Sequence, residues 1–290
     1  MSINHSSESK SLWGHAWTEL KNDKAAVFSM VVIGLYVILA ALTFFGVIAG
    51  EWSKEIGASY MPPSADALFG TDIFGRSVVY KTLKGAEMAI GIGFSTAMIS
   101  TVIGVTLGLM AGYFGGKVDE IIVWFYTSLA SIPYIMLLFA VTMVLGKGTS
   151  SLFLALGVTS WVGLCRLVRG EVLRHKEREY VQAAAALGAG NMRRMFKHIL
   201  PNIFHIVIIQ FSLRFQQAIK SEVILSYLGL GVQGQPSWGT MIDDSKLELA
   251  RGVWWQLSAA TLAMFVLVLA LNLLGDALRD SLDPKLKGKA

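Results

Sequence analysis

Two stretches of the sequence carry polar side chains whose types and spacing could do chemistry. The first is an apolar run from about residue 202 to 230 that contains Gln210, Arg214, Gln216, Gln217, Lys220, Ser221 and Glu222. At about 100° per residue, Gln210, Arg214, Gln217 and Ser221 fall within about 60° of one another, and Gln216 and Lys220 extend that arc to one side. Glu222 lies about 80° to the other side of Arg214, free to pair within the bundle or with another chain. Ionisable groups at membrane depth face a cavity or a partner. This face therefore either lines a solvated path for a polar solute with charged ends or forms a subunit interface held by polar groups.

The second stretch, residues 177–202, reads EREYVQAAAALGAGNMRRMFKHILPN. Alanine is the strongest helix former, so residues 178–187 are expected to be helical without tertiary help. Gly188 suits the left-handed position that ends a helix, and Asn191 can cap the next one, a basic helix that stops before Pro201. The small side chains make a slim helix from which Leu187 protrudes. Such a helix can enter a groove on another protein, or it can rest on anionic lipid. These two readings stand side by side on physical grounds.

No constellation for catalysis accompanies them. The nearest approach to a phosphate-binding loop, AGYFGGKV at residues 111–118, has Ala111 in place of the first glycine and Val118 in place of the magnesium-holding hydroxyl. His5, His15, His175, His198 and His205 form no HExxH pattern, and no GxSxG elbow is present. A single cysteine, Cys165, permits no disulfide within the chain. No catalytic residue, bound metal or cofactor is expected in this chain.

The elements that position these residues are membrane spans. Of 290 residues, 54% are hydrophobic and 16% charged, against about a quarter charged in soluble domains. Lys and Arg fall in short blocks flanking apolar runs, which fits a bilayer and argues against nucleic acid despite the net charge of +5. A span needs roughly 20 apolar residues. Six are expected, at about 25–49, 88–116, 121–146, 148–165, 202–230 and 252–275, giving an all-α polytopic membrane domain over 25–290. Residues 1–24 form a polar tail in which Trp13, Trp17 and Leu20 recur as on an interfacial helix. Residues 51–87 read as a loop with a short helix. Gly104, Gly108 and Gly112 put a flat strip on the second span, where a neighbouring backbone can approach closely. Pro133 is expected to kink the third span. With both termini cytoplasmic, 16 of the 25 Lys and Arg residues lie on the cytoplasmic side and seven opposite, which places loop 171–201 in the cytoplasm.

These residues and motifs resemble the integral-membrane permeases of ATP-binding-cassette importers. Their cytoplasmic loop has Glu-Ala-Ala, three residues, Gly, nine residues, then Ile-x-Leu-Pro. Here it stands as Gln182-Ala183-Ala184, Gly188 and His198-Ile199-Leu200-Pro201, with Gln182 for Glu and His198 for Ile. FGTDIFGRSVVYK at 69–81, AGYFGG at 111–116, LSYLGLGVQGQPSWGTMI at 225–242 and LNLLGDALRDSLDPKLK near the C-terminus are similar to the second, C-type permease of the dipeptide, oligopeptide and nickel subfamily. Lys220 sits where that family is generally uncharged.

The resemblance implies a six-span type I importer permease of MetI-like fold in a bacterial inner membrane. Its implied partners are a homologous second permease, two ATPase subunits that carry ATP and Mg, and an extracytoplasmic solute-binding protein. The implied coupling residues are Arg178, Gln182, Ala183, Ala184, Leu187, Gly188 and Pro201. The path residues are Gln210, Arg214, Gln217, Lys220, Ser221 and Glu222. Di- or oligopeptides are the implied solute, with nickel or another small solute as the alternative. An ATP-independent secondary transporter is the competing class, although no internal repeat of the kind common there is visible.

Overall fold

The computed structural model describes residues 12–146 and 148–282, apart from the side chains of residues 12, 13, 15 and 16. Residues 1–11 of the polar tail, the Trp13 indole, Lys147 and the basic tail with Lys285, Lys287 and Lys289 lie outside the described residues. Among those described, every extended regular element is a helix.

Helix α1 (Leu12–Asn22) packs on α12 (Trp255–Leu282) and turns at Asp23 into α2 (Lys24–Phe44). The Asp23 carboxylate accepts from the Ala25 N–H at 2.8 Å, which satisfies one free donor of the new helix. Helix α2 exposes Phe28, Val31, Leu35 and Ile38, as a helix facing lipid should. It ends at Phe44, short of the expected residue 49, because the chain turns over Gly46 at φ +71°.

Helix α3 (Val78–Phe114) starts well before the expected Met88. Lys81, Lys84 and Glu87 made its first turns read as loop, but each finds a partner: Lys84 and Glu87 pair at 2.7 Å, and Lys81 and Asp72 at 2.9 Å. At about 1.5 Å per residue, 37 residues outrun the hydrocarbon core, so one end projects beyond it. The glycine strip packs on α7 (Val162–His175). A Cβ on Gly104, Gly108 or Gly112 would come within 3.0 Å or less of Leu164, Val168 or Val172.

Helices α4 (Gly116–Ala130) and α5 (Tyr134–Leu145) meet at 95°. Pro133, which lacks a donor and clashes with the preceding turn, breaks the helix here. The pair nevertheless carries the chain across. Tyr113, at one end of α3, bonds Asn191, while Leu152 packs with Met88 and Ile92 toward the other end.

The expected fourth span, 148–165, proves to be two helices, α6 (Thr149–Thr159) and α7, which together make one apolar stretch reaching His175. At the break, the Thr159 and Ser160 hydroxyls donate to the Ala155 and Leu156 carbonyls at 2.8 and 2.7 Å. This side-chain bonding competes with the helical ladder. The arginines that appeared to end the span are accommodated. Arg169 grips Asp119 of α4 through Nε and Nη2 at 2.5 and 2.6 Å, and Arg166 lies over the Tyr126 ring.

Residues 191–227 form one continuous helix: α9 (Asn191–Arg193), a π-helical segment (Arg194–Ile199) and α10 (Leu200–Tyr227). The basic helix therefore does not stop before Pro201. The wider π turn just ahead of the proline relieves the clash between its ring and the carbonyl four residues earlier. Asn191 is the first helical residue and not the cap, and its Oδ1 accepts from Tyr113 and Arg194.

Helix α11 (Trp238–Leu249) occupies what read as loop, and α12 starts three residues later than the expected 252 and runs seven residues past the expected 275. A reciprocal pair of side-chain bonds between Ser237 and Thr240 starts α11. Its buried residues Trp238, Met241, Ser245 and Glu248 recur at helical spacing. The Trp238 indole donates to the Thr82 carbonyl at 3.0 Å and anchors α11 on α3.

Candidate functional site

Helix α10 presents Gln210, Arg214, Gln217 and Lys220 to a cavity of about 730 Å³. The remaining wall comes from Tyr134 at the start of α5, Thr159, Ser160, Val162 and Gly163 at the α6–α7 break, and Asn272 of α12. The helix break thus turns backbone and hydroxyl groups toward the polar face of α10. Arg214 lies midway along α10. Its Nη2 is 3.4 Å from Gln210 Oε1, and its Nε has no acceptor among the described residues. Gly163 makes room for it, because a Cβ there would stand 2.9 Å from Nη2. Gln216 borders the cavity on the α12 side, 3% exposed, with Nε2 unpartnered.

Two residues assigned to the path, Ser221 and Glu222, do not belong to the wall. Ser221 is 2% exposed and packed inside the protein. Glu222, 4% exposed, accepts from Ser226 Oγ and from Ser237 Oγ, both at 2.6 Å. Glu222 therefore ties the end of α10 to the cap of α11. The wheel placed Ser221 near Arg214, but α11, absent from the sequence expectation, covers this end of the helix. Conversely, Tyr134, Thr159, Ser160, Gly163 and Asn272 were missed. They lie far apart in the sequence, and the Thr159-Ser160 pair beside a glycine was the one local signal.

At the membrane side where α3 and α12 begin, Lys81, Asp72, Gln256 and Glu248 form a second, buried polar cluster with Asp244 exposed at its edge. Lys81 donates to Asp72 at 2.9 Å and to Gln256 Oε1 at 2.8 Å, and lies 3.7 Å from Asp244. Gln256 Nε2 donates to Glu248 Oε2 at 3.1 Å. Asp72 also accepts from the Phe74 and Arg76 N–H groups, each at 2.9 Å. Glu248 lies on α11, outside the membrane-crossing helices. Burial pushes its carboxyl up to about 7 against the opposing charge of Lys81. Partial desolvation also raises Asp244, again against the opposing charge of Lys81. The cluster clamps the loop at 45–77, α3, α11 and α12 together.

At the opposite membrane side, α8 (Glu179–Ala186) is flanked by Arg178 at its N-cap and Leu187 at its C-cap. Gly188 takes φ +84°, its N–H donating to the Ala185 carbonyl while the Ala189 N–H donates to that of Ala184, both at 2.9 Å. These two bonds make a Schellman stop. Leu187 is 89% exposed, and Arg178, Gln182, Ala183 and Gly188 are exposed with it. Ala184 departs from the expected set. Together with Val181 it is buried, on the face of α8 turned to its own body. Pro201 is exposed on the wall of a separate apolar groove with Phe196, Leu200, Phe204 and Ile208.

A family model described as the inner membrane component of binding-protein-dependent transport systems matches residues 104–288. One described as the N-terminal TM domain of oligopeptide transport permease C matches residues 11–63. The dipeptide transport system permease protein DppC of Bacillus subtilis is 37% identical over 273 residues, covering 94% of this chain and 85% of its own. The oligopeptide transport system permease protein OppC of the same organism is 36% identical over 284 residues, covering 97% and 92%. A chain of the MetNI methionine ABC transporter, solved in inward-facing conformations, superposes with a TM-score of 0.59 at 16% identity. It covers 71% of this chain and 98% of its own length, a likeness of fold. Matched over most of its length and built on this helical fold, the chain belongs to the family of inner-membrane permease components of binding-protein-dependent transport systems.

Proposed function

We propose that this chain is one of two membrane-spanning subunits that pass di- or oligopeptides through an ATP-driven importer of a bacterial inner membrane. The observation that carries the proposal is the polar cavity halfway along α10 in a chain whose relatives are named dipeptide and oligopeptide permeases. Those names favour peptide over the nickel alternative. An extracytoplasmic binding protein delivers the solute, a homologous permease completes the path, and two ATPase subunits holding ATP and Mg supply the drive. Both termini and α8 face the cytoplasm, in keeping with the Lys and Arg distribution.

The chain's own contribution is mechanical. Closure of the ATPases is passed through Gln182, Ala183, Leu187 and Gly188 to the helices that line the cavity, opening it to the binding protein, and hydrolysis resets it. Nucleotide shifts this equilibrium only by its differential affinity for the two states of the assembly. Knob-shaped and half free of its body, α8 suits a groove on a partner better than a flat lipid surface.

The test is copurification with the ATPase subunits and reconstitution with the binding protein. ATP-dependent uptake of trialanine is expected, and uptake insensitive to ATP depletion overturns the proposal. Gly188→Asp forces a non-glycine residue to φ +84°, at a cost of about 1–2 kcal/mol, and puts charge on the docking face. It is expected to uncouple ATP hydrolysis from uptake, and normal values of both refute the role of α8.

A further inference from the structure

The cavity wall offers positive charge with no negative charge beside it. Its fixed charges among the described residues are Arg214 and Lys220, and no Asp or Glu stands on it. The nearest carboxylate along α10, Glu222, is buried and occupied by two serine hydroxyls. Arg214 has no ion-pair partner among the described residues, and its Nε lacks an acceptor. On the α12 side, the buried Gln216 amide is a second donor with no acceptor. Unmade bonds of this kind are costly in a dry site and are retained where a ligand completes them.

The surroundings of Arg214 sharpen the demand. Its guanidinium lies against Gly163, in the first turn of α7, and no side chain caps that helix. Free N–H groups and the positive end of the helix dipole face this turn. A cation beside them is poorly placed until an anion joins both. Lys220 is exposed about 9 Å further along the helix axis, toward the side where α11 sits.

We infer that the cavity holds a carboxylate subsite, in which Arg214 and the first turn of α7 bind the free carboxylate of a passing solute after Lys220 has drawn it in. Gln216 then donates to a backbone carbonyl of the same solute. The inference rests on the translocation reading and adds a preference to it: solutes ending in a carboxylate cross, and free cations are repelled. Arg214 and Lys220 are specificity-determining residues of the permease itself, separate from any choice made by the binding protein.

The experiment places a cysteine at Gln217, which is exposed on the same wall, in the assembled transporter reconstituted in phosphatidylcholine vesicles free of anionic headgroups. The native Cys165 is buried and does not compete. Modification rates are measured with an anionic sulfonatoethyl and a cationic trimethylammonioethyl methanethiosulfonate, each corrected for its rate with a free thiol, and trialanine uptake is measured before and after. The expected result is at least a fivefold preference for the anionic reagent, with uptake blocked by modification. The preference should fall toward parity with Arg214→Gln and with Lys220→Gln, and persist with Arg214→Lys. Block of uptake with no charge preference, or a preference untouched by both Gln variants, overturns the subsite and leaves the path intact. Modification that leaves uptake unchanged removes the path and the subsite together. A cysteine inert to both reagents overturns the subsite as well, because the wall is then closed to small anions.

Discussion

In the buried cluster, Lys81 reaches Asp72 and Gln256 within 2.9 Å, and Gln256 spends its amide on Glu248. On the cavity wall, among the described residues, Arg214 has a single hydrogen bond, 3.4 Å to Gln210, and the Gln216 Nε2 has none. The residue types are similar, a cation among amides on membrane helices, but their surroundings differ. The cluster is closed by α11 and by the loop at 45–77, which bring carboxylates to the lysine. The wall is open, and the helices facing it bring no anion. A completed network fixes four segments in one arrangement, whereas an incomplete one is kept for a solute to complete. Polarity inside a membrane protein therefore does not by itself mark a path, and the state of its partners distinguishes a clamp from a site.

The strongest way to break this comparison is Lys81→Met. It leaves Asp72, 1% exposed, without its counter-charge, and should cost about 3–5 kcal/mol of stability. Denaturation midpoints in detergent provide the check, and an unchanged midpoint would deny the cluster its clamping role. Next comes the pH dependence of Glu248. Its carboxyl titrates near 7 when folded and near the ordinary 4.5 when unfolded, so the folded state holds the proton longer. Stability contributed here is full below about pH 4.5, falls as pH rises to about 7 and is level above, a change on the order of 1–3 kcal/mol. Glu248→Gln should flatten that slope in the same denaturation assay. A slope that survives would assign it to another group facing Lys81, such as Asp244.

Ser237→Ala is a smaller perturbation. It removes the cap of α11 and one of the two bonds to Glu222, at about 1 kcal/mol, up to about 2. Loss of helix protection in hydrogen exchange, confined to α11, would show it. The smallest effect on stability is expected on the cavity side. Arg214→Gln removes a cation that has no ion-pair partner among the described residues, so the midpoint should move by no more than about 0.5 kcal/mol while uptake falls. A loss above about 2 kcal/mol would make Arg214 part of the scaffold and erase the distinction.

Much of this was legible in the sequence wherever the physics is local. Apolar length marked the helices that cross, glycines at four-residue spacing marked the face of α3 that meets α7, and an alanine run stopped by Gly188 marked α8 with its exposed Leu187. The polar arc of Gln210, Arg214, Gln217 and Lys220 was visible as periodicity. Errors arose where a charge had a distant partner. Lys81 bonds Gln256 across 175 residues, so counting charge along the chain began α3 too late. Arg169 bonds Asp119 across 50 residues, and the same counting ended α7 too early. Pro201 was read as a stop because a π turn that accommodates it leaves no local signature. Ser221 was placed on the path because a helical wheel contains no α11 to cover it, and Glu222, which the wheel set off the Arg214 face, pairs within the bundle with Ser226 and Ser237.

The sequence by itself determined that this chain lives in a bilayer, that one of its helices is polar along a face, and that a slim helix ends in a left-handed glycine. Each follows from side-chain hydration or backbone sterics within a few residues. Only the tertiary structure decided which polar groups are satisfied and which wait for a partner. The cost of a buried charge depends on what other segments bring within hydrogen-bonding reach, and no local window contains them.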